Sequence, residues 1–384
     1  MDFSYPPDTE RFRAGLRSWL AANLTAEVVD SSSRRGTDDT AFETLRRWNA
    51  TMADAGWGAV AWPERYGGRG ATVLEQLVYA EETTRARVPM PLNVIGINNI
   101  APALMRYGTG DQKDRFLRRM LCADDIWCQG MSEPEAGSDL AALRTRAVPD
   151  GDDFVIDGQK IWTSLGHRAD WCQLYTRTDP RAPKHRGITC FLVDMSLPGI
   201  EARPLITLTG AADFAEIFFD AVRVPATAML GPRDGGWQVA TTTLSHERAG
   251  AARLYAEQQV LLDDLVAALA PVRKNGRPIL EDPVTRCRLG GLSVRITYLE
   301  MLCRRAISAE LHGGDAMASA SLAKTVWGEV GQELADTAYD LLGDDADPRW
   351  GRHRLATRSL TIAGGTTQIN KNVTAGRVLG LPRS

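Results

Sequence analysis

The sequence contains six cysteines but no Cys-x-x-Cys pair, and five histidines that form no His-Glu-x-x-His or other zinc-type spacing. The thiols Cys122, Cys128, Cys172, Cys190, Cys287 and Cys303 are scattered, so they read as small buried hydrophobes of a reducing compartment rather than a disulfide framework. The equally dispersed His167, His185, His246, His312 and His353 argue against a metal enzyme. There is no P-loop, and the glycine cluster Gly67, Gly68 and Gly70 follows no strand and reads as a loop. No apolar run is fit to span lipid. The longest stretch near Val88 to Met105 without Asp, Glu, Lys or Arg is interrupted by Pro89, Pro91, Pro102, Asn93, Asn98 and Asn99. The N-terminus, MDFSYPPDTERFR, has an acid at its second position and no apolar run, so no secretory signal is expected and the chain reads as cytoplasmic. An excess of one charge is lacking too: 45 Lys+Arg against 48 Asp+Glu leaves a net charge of −3, which argues against general electrostatic capture of nucleic acid.

What is present is an ordinary globular composition, 44% hydrophobic and 24% charged over 384 residues, long enough for two or three domains. From Asp8 to about Leu121 apolar residues recur at helical spacing, as in Phe12, Leu16, Trp19 and Leu20, with Asp111 a candidate N-cap. Near Ile126 the pattern changes to short apolar runs bounded by turn residues. Asp150-Gly151 and Asp157-Gly158 between them are hairpin signals. After Gly235-Gly236 the helical period returns and persists to about Leu379. The expected fold class is α+β: an N-terminal helical domain (1–122), a middle antiparallel β domain (123–230) and a C-terminal helical bundle (231–384), the last a four-helix bundle.

Two segments carry the chemistry. Gly130-Met131-Ser132-Glu133-Pro134-Glu135-Ala136-Gly137-Ser138-Asp139 ends a strand with a turn of hydroxyls, small residues and backbone amides. Such a loop is either a plain surface turn or a set of donors for a polar ligand. Gly158-Gln159-Lys160-Ile161-Trp162-Thr163-Ser164 puts a tryptophan beside hydroxyls at a strand end. Trp162 is either core or the wall of a flat aromatic cofactor. In the helix after Gly236, Ala240, Leu244, Glu247, Ala251, Leu254 and Leu261 share one stripe, so Glu247 is an acid on an otherwise apolar face. A charge there is costly unless it is paired, for example with Arg248, or functional.

Together GMSEPEAGSD and GQKIWTS resemble the acyl-CoA dehydrogenase family. The likeness extends through HRGITCFLVDM (185–195), FAEIFFDAVRVP (214–225) and GGTTQI (364–369). It implies a flavoprotein with FAD between the sheet domain and the C-terminal bundle, oxidising an acyl-CoA thioester between Cα and Cβ. By motif position, Gln129, Met131, Ser132 and Ser138 would line flavin and thioester. Trp162 and Ser164 would flank the isoalloxazine, and Thr366 and Gln368 would approach FAD. Many members carry the catalytic glutamate just before the Gly-Thr of the C-terminal motif, and here that position is Gly364. The LSHER segment resembles the alternative base position of a minority of the family, similar to actinobacterial members. Glu247 is therefore the expected base, with the β-hydride passing to flavin N5 and Arg248 ordering the CoA or base region. A backbone amide near Gly364 would polarise the thioester carbonyl, and an electron-transfer flavoprotein would be the electron acceptor.

Two FAD-binding features of the family look eroded. The Arg-x-x-Phe-Gly-x-Pro-Ile run is represented by Arg273-Lys274-Asn275-Gly276-Arg277-Pro278-Ile279, without its aromatic and with the arginine one place out of step. Asp340-Leu341-Leu342-Gly343-Asp344-Asp345 stands where a Gln-x-x-Gly-Gly-x-Gly pattern is expected, and its acids would not welcome a pyrophosphate. The erosion fits a homo-oligomer with altered adenosine binding, or a hetero-oligomer completed by a related chain, as in actinobacterial steroid and side-chain degrading relatives. A non-catalytic assembly subunit and an acyl-CoA oxidase-type flavoenzyme are the remaining readings.

Overall fold

The computed structural model describes residues 4–247, 251–314, 316–343 and 347–382. The chain divides into two compact units. One, the sheet unit, comprises Leu24–Ala71 and Pro89–Glu247; the other, the bundle unit, comprises Met1–Asn23, Thr72–Val88 and Arg248–Ser384.

The sheet unit begins with α2 (Ala26–Ser31), α3 (Asp39–Asp54), α5 (Ala101–Tyr107) and α6 (Gly110–Cys122). Thr109, not Asp111, caps α6: its hydroxyl accepts from the Gln112 N–H while the Gln112 side chain accepts from the Thr109 N–H. Asp111 lies in the first turn, where its charge still complements the helix dipole. The helix buries Phe116, Leu117, Met120 and Leu121. Phe116 meets Trp127 edge to face at 5.0 Å, and Trp127 stacks on Trp171 at 5.7 Å.

Seven strands form one sheet in the order β1-β4-β2-β3-β7-β6, with β5 also paired to β4. They are β1 (Trp127–Gly130), β2 (Arg146–Asp150), β3 (Asp153–Ser164), β4 (Trp171–Arg177), β5 (Ile188–Asp194), β6 (Ile200–Leu205) and β7 (Phe214–Pro225). Pairing is antiparallel except between β1 and β4 and at the single Arg146–Arg177 partnership, both parallel. Asp150-Gly151 is the expected hairpin: Asp150 pairs with Asp153, and Gly151 takes a left-handed φ of 64°. Asp157-Gly158 is not. It lies inside the long strand β3 at a register shift against β7, and a Cβ on Gly158 would stand 2.7 Å from Thr145 Cα, so the glycine serves a bulge and a close approach.

The sheet unit closes with α7 (Gly236–Glu247), whose Val239 and Ala240 enter the Phe116 and Trp127 core. The stripe is shared between the units: α7 is described as far as Glu247, in the sheet unit, and α8 (Ala251–Leu269) belongs to the bundle unit.

In the bundle unit α8 packs with α9 (Pro283–Leu311) and α10 (Ala316–Leu342), joined by α1 (Pro7–Asn23), α4 (Val73–Arg85), α11 (Pro348–Ala356) and α12 (Thr367–Arg377). Leu77 of α4 is buried with Tyr255, Leu299, Leu302, Cys303 and Ala323. Glu81 and Glu82 of α4 are almost fully buried but neutralised: Arg13, Arg85 and Arg304 surround Glu81, whose Oε1 also accepts the Tyr255 hydroxyl. Arg17 donates two bonds to Glu82, at 2.6 and 2.9 Å. Five cysteines are buried, but Cys287 is exposed on α9, against the expectation from composition. Among the described residues, no helix is long and apolar enough to cross a membrane.

Candidate active site

The two chemistry-bearing segments are distant in sequence but bonded in the structure. Lys160 of β3 has no exposed surface, and its ammonium donates to the Met131 carbonyl at 3.0 Å and to Glu133 Oε1 at 2.9 Å. The Ile161 N–H donates to the Ser132 carbonyl at 2.9 Å. Glu133 also accepts the Arg144 and Thr145 N–H groups at 2.6 and 2.8 Å. Burial pushes the Glu133 carboxyl up, but the Lys160 ammonium and Thr145 outweigh it and hold it below its ordinary value. On Lys160 burial acts downward, and Glu133 opposes it. This ion pair clamps the GMSEPEAGSD loop onto β3. Neither motif marks the pair, although the period-2 phase through Phe154 and Ile156 puts Lys160 on the inward face.

Clamping leaves specific groups outward. Met131 is buried, Gln129 and Ser132 are half-buried, and Ser138 is exposed. Trp162 is 61% exposed and adopts φ = 60° at the second register shift of β3. A bulky residue in the left-handed region at an exposed position is a strained, aimed side chain, which excludes the core reading. Its ring meets Phe214 edge to face at 6.1 Å. Ser164 is half-buried at the strand end, and the adjacent Thr163 hydroxyl is buried without a partner among the described residues. No partner among the described residues engages the hydroxyls of Ser132, Ser138 or Ser164. An exposed indole flanked by uncommitted hydroxyls fits a flat heteroaromatic ring with polar edges.

In the bundle unit, Gly364 and Gly365 both take left-handed φ values, 64° and 93°, forming the turn before α12. Thr366 is the N-cap of α12, its hydroxyl accepting the Ile369 N–H at 3.2 Å, while Gln368 is exposed. Asn370 donates to the Gly365 and Thr366 carbonyls at 2.9 and 3.1 Å and fixes the turn. The segment before it is held to α10, where Lys324 donates to the Leu360 carbonyl at 2.5 Å and Gln332 to that of Thr357 at 3.1 Å. α7 is described as far as Glu247, whose side chain falls outside what the structure describes, as does Arg248 altogether. Of the eroded features, Arg273–Lys274 and Arg277–Pro278 pair as a small hairpin, and Asp340 is paired with Arg288 at 3.0 Å.

The helix–sheet–helix order and the clamped loop beside an aimed tryptophan define a class, and the comparisons identify it. Residues 6–124, 128–222 and 234–379 match the N-terminal, middle and C-terminal domains of acyl-CoA dehydrogenase. The chain belongs to the acyl-CoA dehydrogenase family, FAD-dependent oxidoreductases acting on acyl-CoA. It is 38% identical over 389 aligned positions to acyl-CoA dehydrogenase IpdE1 of Mycobacterium tuberculosis, with 98% of each chain covered. Among solved structures it is similar to the Tcur3481-Tcur3483 steroid ACAD, with a TM-score of 0.88, 33% identity and all of both chains covered. It is also similar to the ChsE4-ChsE5 complex of Mycobacterium tuberculosis, with a TM-score of 0.86, 32% identity and full coverage of both chains.

Proposed function

We propose that this chain carries out α,β-dehydrogenation of a bulky, steroid-derived acyl-CoA to the 2-enoyl-CoA, with Glu247 as the base. The observation that carries the reading is the clamped GMSEPEAGSD loop beside the exposed, left-handed Trp162, in a chain that carries a glutamate at 247 in its first post-sheet helix and glycine at position 364. Bound FAD supplies the hydride acceptor. By motif position Gln129, Met131, Ser132 and Ser138 would line flavin and thioester, Trp162 and Ser164 would flank the isoalloxazine, and Thr366 and Gln368 would approach the cofactor. A backbone amide near Gly364 would donate to the thioester oxygen, and Arg248 would order the CoA or base region. Glu247 then removes an α-proton made acidic by that donor, a step in which a placed carboxylate contributes roughly 10²- to 10⁴-fold. Ala363 and Gly364 leave the acyl side short of bulk, and a similar structure is titled a steroid ACAD, which supports the substrate class.

Glu247→Gln is expected to abolish turnover while the protein stays yellow; dehydrogenation by that variant overturns the assignment. A panel of straight, branched and steroid-derived acyl-CoAs tests the substrate. Reduction of an electron-transfer flavoprotein, as opposed to peroxide release, separates dehydrogenase from oxidase.

The partner is a related chain. Asp340 where the family holds a glycine-rich FAD contact, and similarity to structures titled with two chains each, favour a hetero-oligomer. Purified alone, the chain should hold less than one FAD per protomer, and full occupancy would favour a homo-oligomer. A purely structural subunit would bind flavin without turnover in any combination.

A further inference from the structure

The helix that carries Glu247 has a sequence that does not favour helix. Thr241, Thr242 and Thr243 are three consecutive β-branched residues within the twelve of α7, and each restricts χ1 against the preceding turn. Tertiary bonds hold the helix instead. Thr243 is 1% exposed, and its hydroxyl accepts from Gln173 Nε2 at 3.5 Å and shares a bond with the Tyr175 hydroxyl at 3.2 Å. Gln173 and Tyr175, from β4, have no exposed surface. Gln173 Oε1 in turn accepts from Gln129 Nε2 at 3.2 Å. The neighbouring Thr242 hydroxyl meets the Tyr107 hydroxyl of α5 at 3.1 Å and back-bonds to the Gln238 carbonyl at 3.1 Å.

We propose that Thr243, with Gln173 and Tyr175, is a positioning residue for the dehydrogenation: the chain Gln129–Gln173–Thr243–Tyr175, buried from Gln173 onward, sets the rotation and register of α7 and thereby places Glu247, one helical turn beyond Thr243. The proposal rests on Glu247 being the base. An apolar contact is non-directional and can be regained after a small shift of the helix. A satisfied polar network in a dry interior cannot, because any rotation strands a buried amide or hydroxyl. The chain also begins at Gln129, on the strand leading into the clamped loop, so one network fixes the base-bearing helix to the strand that carries the flavin-facing residues.

The test compares Thr243→Val, which keeps shape and removes the hydroxyl, with Thr243→Ser, which keeps the hydroxyl. Thr243→Val should retain FAD and a KM within about twofold of the parent but lose about 10- to 100-fold in kcat and in exchange of substrate α-protons with deuterated buffer. Thr243→Ser should restore most of both. If Thr243→Val does not fold, Tyr175→Phe takes its place with the same expectation. A kcat within about twofold of the parent overturns the proposal, as does a loss that merely tracks lost flavin. The Glu247→Gln variant separates the two ideas: turnover without that carboxylate defeats the base assignment, whereas its loss beside an unaffected Thr243→Val defeats only the positioning role.

Discussion

At the scale of single residues the site rests on one buried ion pair and one strained indole. Lys160 and Glu133 are both buried, Lys160 also donating to the Met131 carbonyl and Glu133 accepting the Arg144 and Thr145 N–H groups, so removing one partner strands the other. Lys160→Met should cost about 3–5 kcal/mol in denaturant unfolding and lower the FAD content of what folds. The sign of the pH effect follows from the depressed Glu133 carboxyl: its contribution is present above the ordinary value of 4.5 and is lost as pH falls through the lower folded value. Glu133→Gln should therefore unfold more easily at neutral pH yet show a shallower loss of stability on acidification, read from unfolding midpoints along an acid series. Trp162 works in the opposite direction. Its φ of 60° costs ~1 kcal/mol relative to glycine, so Trp162→Gly should not lower the unfolding midpoint of the flavin-free protein but should weaken flavin retention. An unchanged flavin content in that variant would remove Trp162 from the cofactor site.

At the scale of elements, the turn before α12 explains why position 364 is glycine here in a way the motif alone does not. Gly364 sits at φ = 64° and is followed by Gly365 at 93°, so a glutamate at 364 would have to adopt a left-handed backbone that L-residues disfavour by about 1–2 kcal/mol. Gly364→Glu should therefore destabilise the protein and fail to restore turnover to Glu247→Gln, as steady-state rates on the double variant would reveal. Restored activity would mean that the turn readily accepts a base from its own segment. The threonine run of α7 belongs to the same scale. Local propensity opposes that helix, and burial of Val239, Ala240 and Thr243 with the bonds from β4 and α5 sustains it.

At the scale of the whole molecule, order along the chain and order in space differ. The helices read as an N-terminal third are shared out: α3, α5 and α6 join the sheet unit, whereas α1 and α4 join the bundle unit and supply Leu77 and the Glu81–Glu82 pair. Residues 231–384 expressed alone would lack those buried carboxylates' helix and leave Tyr255 and Arg304 without Glu81. That fragment should give poorly dispersed amide spectra and no cooperative unfolding; a cooperative transition would show that the C-terminal helices need nothing from the N-terminal ones.

The sequence by itself determined the family and the element types, because period-2 and period-3.6 patterns and contiguous motifs such as GMSEPEAGSD and GQKIWTS are local properties of the chain. It also offered Glu247 and Gly364 as candidates, since an acid on an apolar stripe and a missing acid in a motif are both visible in one dimension. Tertiary structure alone decided four things. It put Lys160 on Glu133, aimed Trp162 outward instead of into the core, and tied Thr243 to Gln173 and Tyr175. It also turned Asp157-Gly158 from a hairpin signal into a bulge within β3. The physical reason is common to all of them: a buried polar group must find its partner somewhere in space, and a bulge or a left-handed residue is fixed by the strand beside it, so neither partner nor neighbour is written at a readable distance along the chain.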